Sequence, residues 1–480
     1  MRDLVAGVDS STQSCTISLR RLEDGKVVAE ARSPHPPTTP PRSEQDPGTW
    51  WVALQRAFAD LAPYVSRVAA VAIGGQGHGL VLLGEDDVPL RPAKLWNDTE
   101  SAPDAERLCR LLPPAEWATR TGSVPGPALA VSKIAWTARC HPGLVQRAAR
   151  IMLPADYLVY RLCGNAVAER GLASGTGYFN PFTNQWDVEL AGLAASGVDW
   201  AGVLPRLIDS GATAGDVRAL PELRGALVGA GTGDNHVAAL GLGLAAGDTV
   251  ISLGTSGTVY EVTETRVRDG SGGINGYADA TGRFLPMVTT LNAAKVTDAV
   301  RRLLGIGTDQ FDAIALSAPA GAGGLVLVPY LDGERTPNLP NATGRLSGLR
   351  TDVTPALFAR AAVEGVLCAL LDGLDLLRAA GVSGGGRLLL IGGAARSRAY
   401  RQILADLAGQ PTFTCALPEA AAAGAAVLAA AGLAGRPVTD QAAAWRPEFD
   451  LAAEPRKIDA AAVRAAYRVA AQSVARDAAR

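Results

Sequence analysis

The chain has 480 residues, of which 48% are hydrophobic and 19% charged. That is the balance of a globular protein, not of a disordered or fibrous one, and at ~100–200 residues per domain it predicts two or three domains. A net charge of −2 offers no basic surplus, which argues against nucleic acid and against an anionic membrane surface as partners. The cysteines Cys15, Cys109, Cys140, Cys163, Cys368 and Cys415 are scattered without a C-x-x-C pair, so neither a zinc cage nor a redox motif is indicated. Scattered thiols suit a reducing cytosol. The apolar stretch at 4–8 is too short for the core of a signal peptide. The Ala/Gly-rich run at 420–435 falls short of the ~20 residues of a membrane span, and reads as a tightly packed helix. A cytoplasmic protein is expected.

In chain order, residues 4–9 form an apolar run that ends on an acid and predicts a strand. Ser10 to Ser14 is a polar turn, residues 15–20 predict a second strand and 27–31 a third. Five prolines between 34 and 41 make a loop. Trp51, Leu54, Phe58 and Leu61 fall on one face of a helix. Residues 68–73 predict a buried strand that runs into Gly74-Gly75-Gln76-Gly77-His78-Gly79. The second half repeats this opening: a strand over 248–253, the turn Gly254-Thr255-Ser256-Gly257-Thr258, and a strand over 259–262. A later strand over 387–391 runs into Gly392-Gly393-Ala394-Ala395-Arg396-Ser397. The repeat is one of pattern rather than of letters, and it predicts two similar α/β lobes with a cleft between them. The expected domains are 1–245, 246–434 and a helical tail over 435–480.

Five segments could carry chemistry. Asp9 ends a strand and is followed by the hydroxyls of Ser10, Ser11 and Thr12. An acid there attracts Mg²⁺ through water, and the N–H groups and hydroxyls of the turn suit phosphate, although Asp and Ser favour ordinary turns as well. Gly254, Thr255 and Ser256 make a matching hydroxyl turn in the second half. There is no G-x-x-x-x-G-K-[ST] loop, so a P-loop enzyme is disfavoured. Asp234 and Asn235 follow a predicted strand over 226–230 and open a helix, at the strand end where α/β sheets place ligands. A helix cap would use the same residues. A helix N-terminus keeps a carboxylate ionised, as a proton acceptor requires. Gln76, Gly77 and His78, with Trp96, Asn97 and Asp98 downstream, suit a polyol through fixed donors and acceptors plus a flat apolar wall. Gly392, Gly393 and Ala394 let a flat base approach the backbone, with Ser397 just before the next helix. His35, His141 and His236 read as structural, and no His or Cys pair has metal-ligand spacing.

Together these segments resemble the FGGY carbohydrate kinases, and within them the xylulokinases. The match also includes Ser43-Glu44-Gln45-Asp46-Pro47 with Trp50-Trp51, Leu95-Trp96-Asn97-Asp98, Leu153-Pro154-Ala155-Asp156-Tyr157-Leu158 and Ala173-Ser174-Gly175-Thr176-Gly177. Further on come Pro329-Tyr330-Leu331-Asp332-Gly333-Glu334-Arg335-Thr336-Pro337 and Leu390-Ile391-Gly392-Gly393. The resemblance implies two ribonuclease-H-like lobes of the actin/sugar-kinase/Hsp70 type that bind ATP in a cleft. It implies Asp234 as catalytic base and Asp9 near Mg²⁺. Ser11, Thr12, Gly254, Thr255 and Ser256 would face phosphate, and Gly392, Gly393, Ala394 and Ser397 would lie near the adenosine. Gln76, Gly77, His78, Trp96, Asp234 and Asn235 would contact the sugar. The implied reaction is ATP-dependent phosphorylation of D-xylulose, with ribulose, gluconate, fuculose or glycerol as alternative acceptors. A homodimer is implied at the family level. The contrasting reading is a non-catalytic, nucleotide-dependent scaffold of the same fold. Three positions depart from the family pattern. Gly77 stands where Met is frequent, Ala394 where a third Gly is common, and Arg42 where a Trp is often found.

Overall fold

A computed structural model describes residues 2–417 and 419–478. The strand Leu4–Ser10 lies inside a mixed sheet because Leu4, Val5, Ala6 and Val8 are all buried, the near-continuous apolar run of a strand covered on both faces. It pairs antiparallel with Ser14–Arg21, closing at Ser10 opposite Cys15. On its other side it runs parallel to Val68–Gly75, with Ser10 level with Gly75. Val27–Pro34 continues the sheet beyond Ser14–Arg21. Its alternating exposure marks a sheet margin. Leu227–Gly229 runs parallel to Val68–Gly75, and Thr213–Asp216 closes that side antiparallel. The helix Pro47–Asp60 is opened by Asp46, whose carboxylate accepts the Gly48 N–H at 2.8 Å, a standard N-cap. It buries Trp50, Leu54 and Phe58.

A second sheet repeats the order of six of these strands. Thr249–Leu253 pairs antiparallel with Gly257–Glu261, which in turn pairs with residues 287–290. On the other side Thr249–Leu253 runs parallel to Leu388–Ile391, followed by parallel Thr412–Cys415 and antiparallel Phe449–Ala453. The pattern repeat visible in the sequence therefore extends beyond one hairpin and one strand to six strands of each sheet.

The chain divides differently from the expected 1–245, 246–434 and 435–480. One compact unit holds Met1–Leu244, Arg268–Leu285 and Glu419–Pro447; the other holds Ala245–Val267, Pro286–Pro418 and Glu448–Arg480. The reason is packing. The Ala-rich helix Ala420–Ala434, expected in the second lobe, lies against Asp234–Gly241 and the strand Leu4–Ser10 of the first. A Cβ on Gly424 would stand 1.6 Å from the Val237 carbonyl oxygen, and one on Gly7 would stand 1.9 Å from that of Ala422. Only glycine permits backbones to meet this closely. The tail is not purely helical either: Phe449–Ala453 is a strand, followed by the helix Ala460–Ala478.

Candidate functional site

In the first unit three loops leave the same end of neighbouring parallel strands. Leu4–Ser10 runs into Ser11 and Thr12, and Val68–Gly75 runs into Gln76, Gly77 and His78. The short strand Thr232–Gly233 pairs parallel with Gly74 and Gly75 and delivers Asp234 and Asn235. Carboxyl ends of parallel strands are where α/β sheets present ligand-binding loops. The register thus brings Asp9, Thr12, Gln76, His78 and Asp234 to one edge.

The electrostatics of that edge are those of crowded acids. Burial pushes the Asp9 carboxyl up to about 8, and the nearby carboxylates of Asp234 and Glu419 add to this, with Arg32 opposing. Asp9 Oδ1 is buried without a hydrogen-bond partner among the described residues. Asp234 is the first residue of the helix Asp234–Gly241. Its Oδ1 accepts the backbone N–H of Asn235 at 2.7 Å and the Asn235 side-chain amide at 2.9 Å. The sequence expectation was that the helix terminus would hold this carboxylate ionised. Here burial outweighs the two Asn235 donors, and the carboxyl sits above its ordinary range. A carboxylate raised in this way is a stronger proton acceptor than one in water. Burial also raises Glu419.

Thr12 is oriented by the polyol-type residues. The Trp96 indole N–H donates to Thr12 Oγ1 at 2.9 Å, and that hydroxyl lies 3.4 Å from Gln76 Oε1. Ser11 Oγ lies 3.4 Å from the Ser14 carbonyl oxygen, inside the turn. Gln76 Nε2 and Asn97 Oδ1 are buried without partners among the described residues. Asp98, next to Asn97 in sequence, is spent on structure. It is fully buried and accepts the Ser43 N–H and the Lys94 ammonium, each at 2.9 Å. Glu44, Asp98 and Glu100 converge closely enough to hold a cation. Lys94 Nζ already lies 3.3, 2.9 and 2.5 Å from them, so the cluster is a buried ion-pair network that anchors the Trp96 loop.

His78 has φ 65°, left-handed for a non-glycine residue. Its Nδ1 lies 3.0 Å from the Gly175 carbonyl oxygen and its Nε2 lies 3.1 Å from the Tyr277 hydroxyl. Gly175 makes room for the ring, since a Cβ there would stand 2.2 Å from Nδ1. Tyr277 escaped sequence reasoning. It lies 199 positions from His78, inside the segment Arg268–Leu285 that joins the first unit. Gly175 stood in a recognisable motif, but nothing local tied it to His78.

In the second unit the strands Thr249–Leu253 and Leu388–Ile391 are parallel neighbours, with Ser252 level with Ile391. Gly254, Thr255 and Ser256 follow the first strand, and Gly392, Gly393 and Ala394 follow the second, at the same end. Gly254 and Thr255 are exposed, as are Gly392 and Gly393. Gly392 has φ 87°, and a Cβ on it would stand 2.5 Å from the Leu253 carbonyl oxygen. Ser397 caps the helix Arg398–Ala408, accepting the Tyr400 N–H at 3.1 Å, and donates to Asp312 Oδ1 at 2.6 Å. Its hydroxyl is thus committed to the helix start.

A family model described as the FGGY family of carbohydrate kinases, N-terminal domain, matches residues 4–241, and that of the C-terminal domain matches 249–433. The chain belongs to the FGGY family of carbohydrate kinases. It is a phosphotransferase of the two-unit α/β type that acts on a carbohydrate hydroxyl. It is 44% identical over 446 residues to a xylulose kinase of Streptomyces rubiginosus, covering 92% of this chain and 90% of that one. A xylulose kinase of Streptomyces coelicolor is 43% identical over the same shares. Among solved structures, the xylulose kinase of Bifidobacterium adolescentis is similar at 37% identity with a TM-score of 0.85, covering 98% of this chain and 99% of that one.

Proposed function

We propose that this kinase transfers the γ-phosphoryl group of ATP to the terminal hydroxyl of D-xylulose, giving D-xylulose 5-phosphate and ADP. The observation that carries the reading is the placement of Asp234. Its partly buried carboxylate stands at a helix start, at the sheet edge that also presents Gln76 and His78. The named relatives, similar over nine-tenths of the chain, supply the sugar.

In this reading the Asp234 carboxylate accepts the proton of the sugar O5 hydroxyl as that oxygen bonds to the γ-phosphorus. The bond from phosphorus to the β–γ bridging oxygen breaks, and ADP leaves. Phosphoryl transfer asks little of its base beyond orienting the hydroxyl, and the two Asn235 hydrogen bonds fix the orientation of Asp234. Gln76 and Asn235 take up sugar hydroxyls, and Trp96, whose N–H is held by Thr12, offers the sugar its flat ring. Thr255 and Ser256 offer backbone N–H groups and hydroxyls to phosphate, in a turn that Gly254 closes by donating its N–H to the Ser256 carbonyl at 3.0 Å, and the bare surface of Gly392, Gly393 and Ala394 receives the adenosine. Ser397 serves this site by capping the helix behind it.

The donor set also fits Mg²⁺. Asp9 has a buried, unpartnered carboxylate oxygen among other carboxylates, the hard oxygen environment that this ion takes, largely through its own waters. Asp9 would hold it, and when bound it supplies positive charge against the phosphate oxygens. All six cysteines are free thiols, in keeping with a reducing compartment.

The test is a coupled ADP-release assay with Mg-ATP against ketoses, polyols and sugar acids. Fastest turnover with D-xylulose is expected. A different preferred sugar would move the specificity assignment and leave the chemistry in place. ADP release indifferent to every sugar would overturn the kinase reading in favour of a nucleotide-dependent scaffold.

A further inference from the structure

Tyr277 is 2% exposed, and its ring is close to two histidines of the site edge: its centroid is 5.4 Å from His78 and 6.1 Å from His236. His236 is two residues beyond Asp234 on the same helix. The segment that carries Tyr277 is fastened on both sides. The Gly276 N–H donates to the Gly122 carbonyl at 2.7 Å. Arg170 Nη1 donates to the carbonyls of Asp279 and Arg283, each at 2.8 Å. Tyr277 therefore comes to His78 on a rigid support.

The hydrogen bonds at His78 settle their own direction. The Gly175 carbonyl only accepts, so Nδ1 carries a proton toward it. In the neutral imidazole Nε2 is then the acceptor, and the Tyr277 hydroxyl donates to it. A left-handed backbone at a non-glycine residue persists only where its surroundings over-determine it. Here both ring nitrogens are pinned, one by a backbone carbonyl and one by a phenol.

We infer that Tyr277 is a positioning residue of the sugar site, holding the His78 ring, and with it the Gln76–His78 loop, in the geometry that receives the sugar. This deepens the proposed function and rests on it. The tyrosine is not assigned any contact with the reacting atoms.

The test uses sugar binding by calorimetry without nucleotide, alongside steady-state kinetics, on the full chain. In Tyr277→Phe only the hydroxyl is lost. The sugar Kd and KM are expected to rise about five- to tenfold, the worth of one hydrogen bond, while KM for ATP and kcat stay within about twofold. A residue that acts through another must lose its effect when the other is gone. In a His78→Ala background, Tyr277→Phe should therefore change the sugar Kd by less than about twofold. Tyr277→Phe with wild-type sugar affinity would overturn the inference alone. So would an equal loss in the His78→Ala background, which would make Tyr277 an independent contact. A wild-type protein that binds none of the sugars would overturn the proposed function and this inference together.

Discussion

The Trp96 indole N–H and the Thr12 hydroxyl are joined at 2.9 Å, across 84 positions of sequence. This bond ties a residue expected at the sugar to one expected at phosphate. Thr12 also lies against Gln76 Oε1, so its hydroxyl is held by the sugar side. Thr12→Val keeps the shape and removes both bonds, leaving the half-buried indole donor without its partner. The expected result is a sugar KM raised by about tenfold or less, the range for one or two lost hydrogen bonds. An unchanged sugar KM with a raised ATP KM would instead return Thr12 to the phosphate.

Asp234→Asn keeps the bulk and loses the proton acceptor. A general base is worth about 10²–10⁴-fold, so kcat should fall by that much while sugar binding, read by calorimetry, persists. In the wild type, burial holds this carboxyl above the ordinary carboxylate range. Activity needs the ionised form and is lost as pH falls through the raised value. The acid limb of the kcat profile should therefore lie at higher pH than a solvent-exposed aspartate would give.

Asp9 makes a prediction of stability rather than rate. Its folded value is about 8, far above the ordinary 3.8. The stability this confers is full at acid pH, below the unfolded value, and is lost as pH rises toward 8, because the fold penalises the ionised form. Without divalent ions, Asp9→Asn should melt higher than wild type. The gap should open between pH 4 and 8, reach ~2 °C or more, and then level off. Added Mg²⁺ should narrow it by stabilising only the wild type. A gap independent of pH would mean that Asp9 is not ionising against its surroundings.

At Gly77 a Cβ would meet nothing within 4 Å. Gly77→Met should then fold normally, within about 0.5 kcal/mol of wild type, and act on the sugar profile alone. The ratio of kcat/KM between D-xylulose and bulkier or shorter acceptors should change in the substrate panel. A clear loss of stability would show that the space is not open.

Much of the scaffold was legible in the sequence because its signals are local. The buried run through Val8, the turn at Ser11 and Thr12, and the apolar strand before Gly392 each announce themselves within ten residues. Asp9, Gln76, Asp234, Gly254 and Gly392 could be placed at strand ends for the same reason. Three things were not legible. The commitment of Ser397 to a helix cap depends on Asp312, 85 positions away. The bracing of His78 depends on Tyr277, which has no motif of its own. The direction of the Asp234 shift is a contest between burial and hydrogen bonding, and burial is a property of the packed structure. The compact units depart from the expected segments chiefly through one helix. Composition revealed that Ala420–Ala434 packs tightly, but not against which sheet.

That helix also affects the order of events in synthesis. The face of the first sheet formed by Val5, Ala70 and Ala72 is covered by Ala425, Ala426 and Ala429. These residues are added after nearly nine-tenths of the 480 residues have been joined. Although domains ordinarily fold as they emerge, N-terminal first, the unit that begins this protein stays open on one face until its last major helix arrives. A chain cut at residue 418 would present that face bare to the cell's folding machinery.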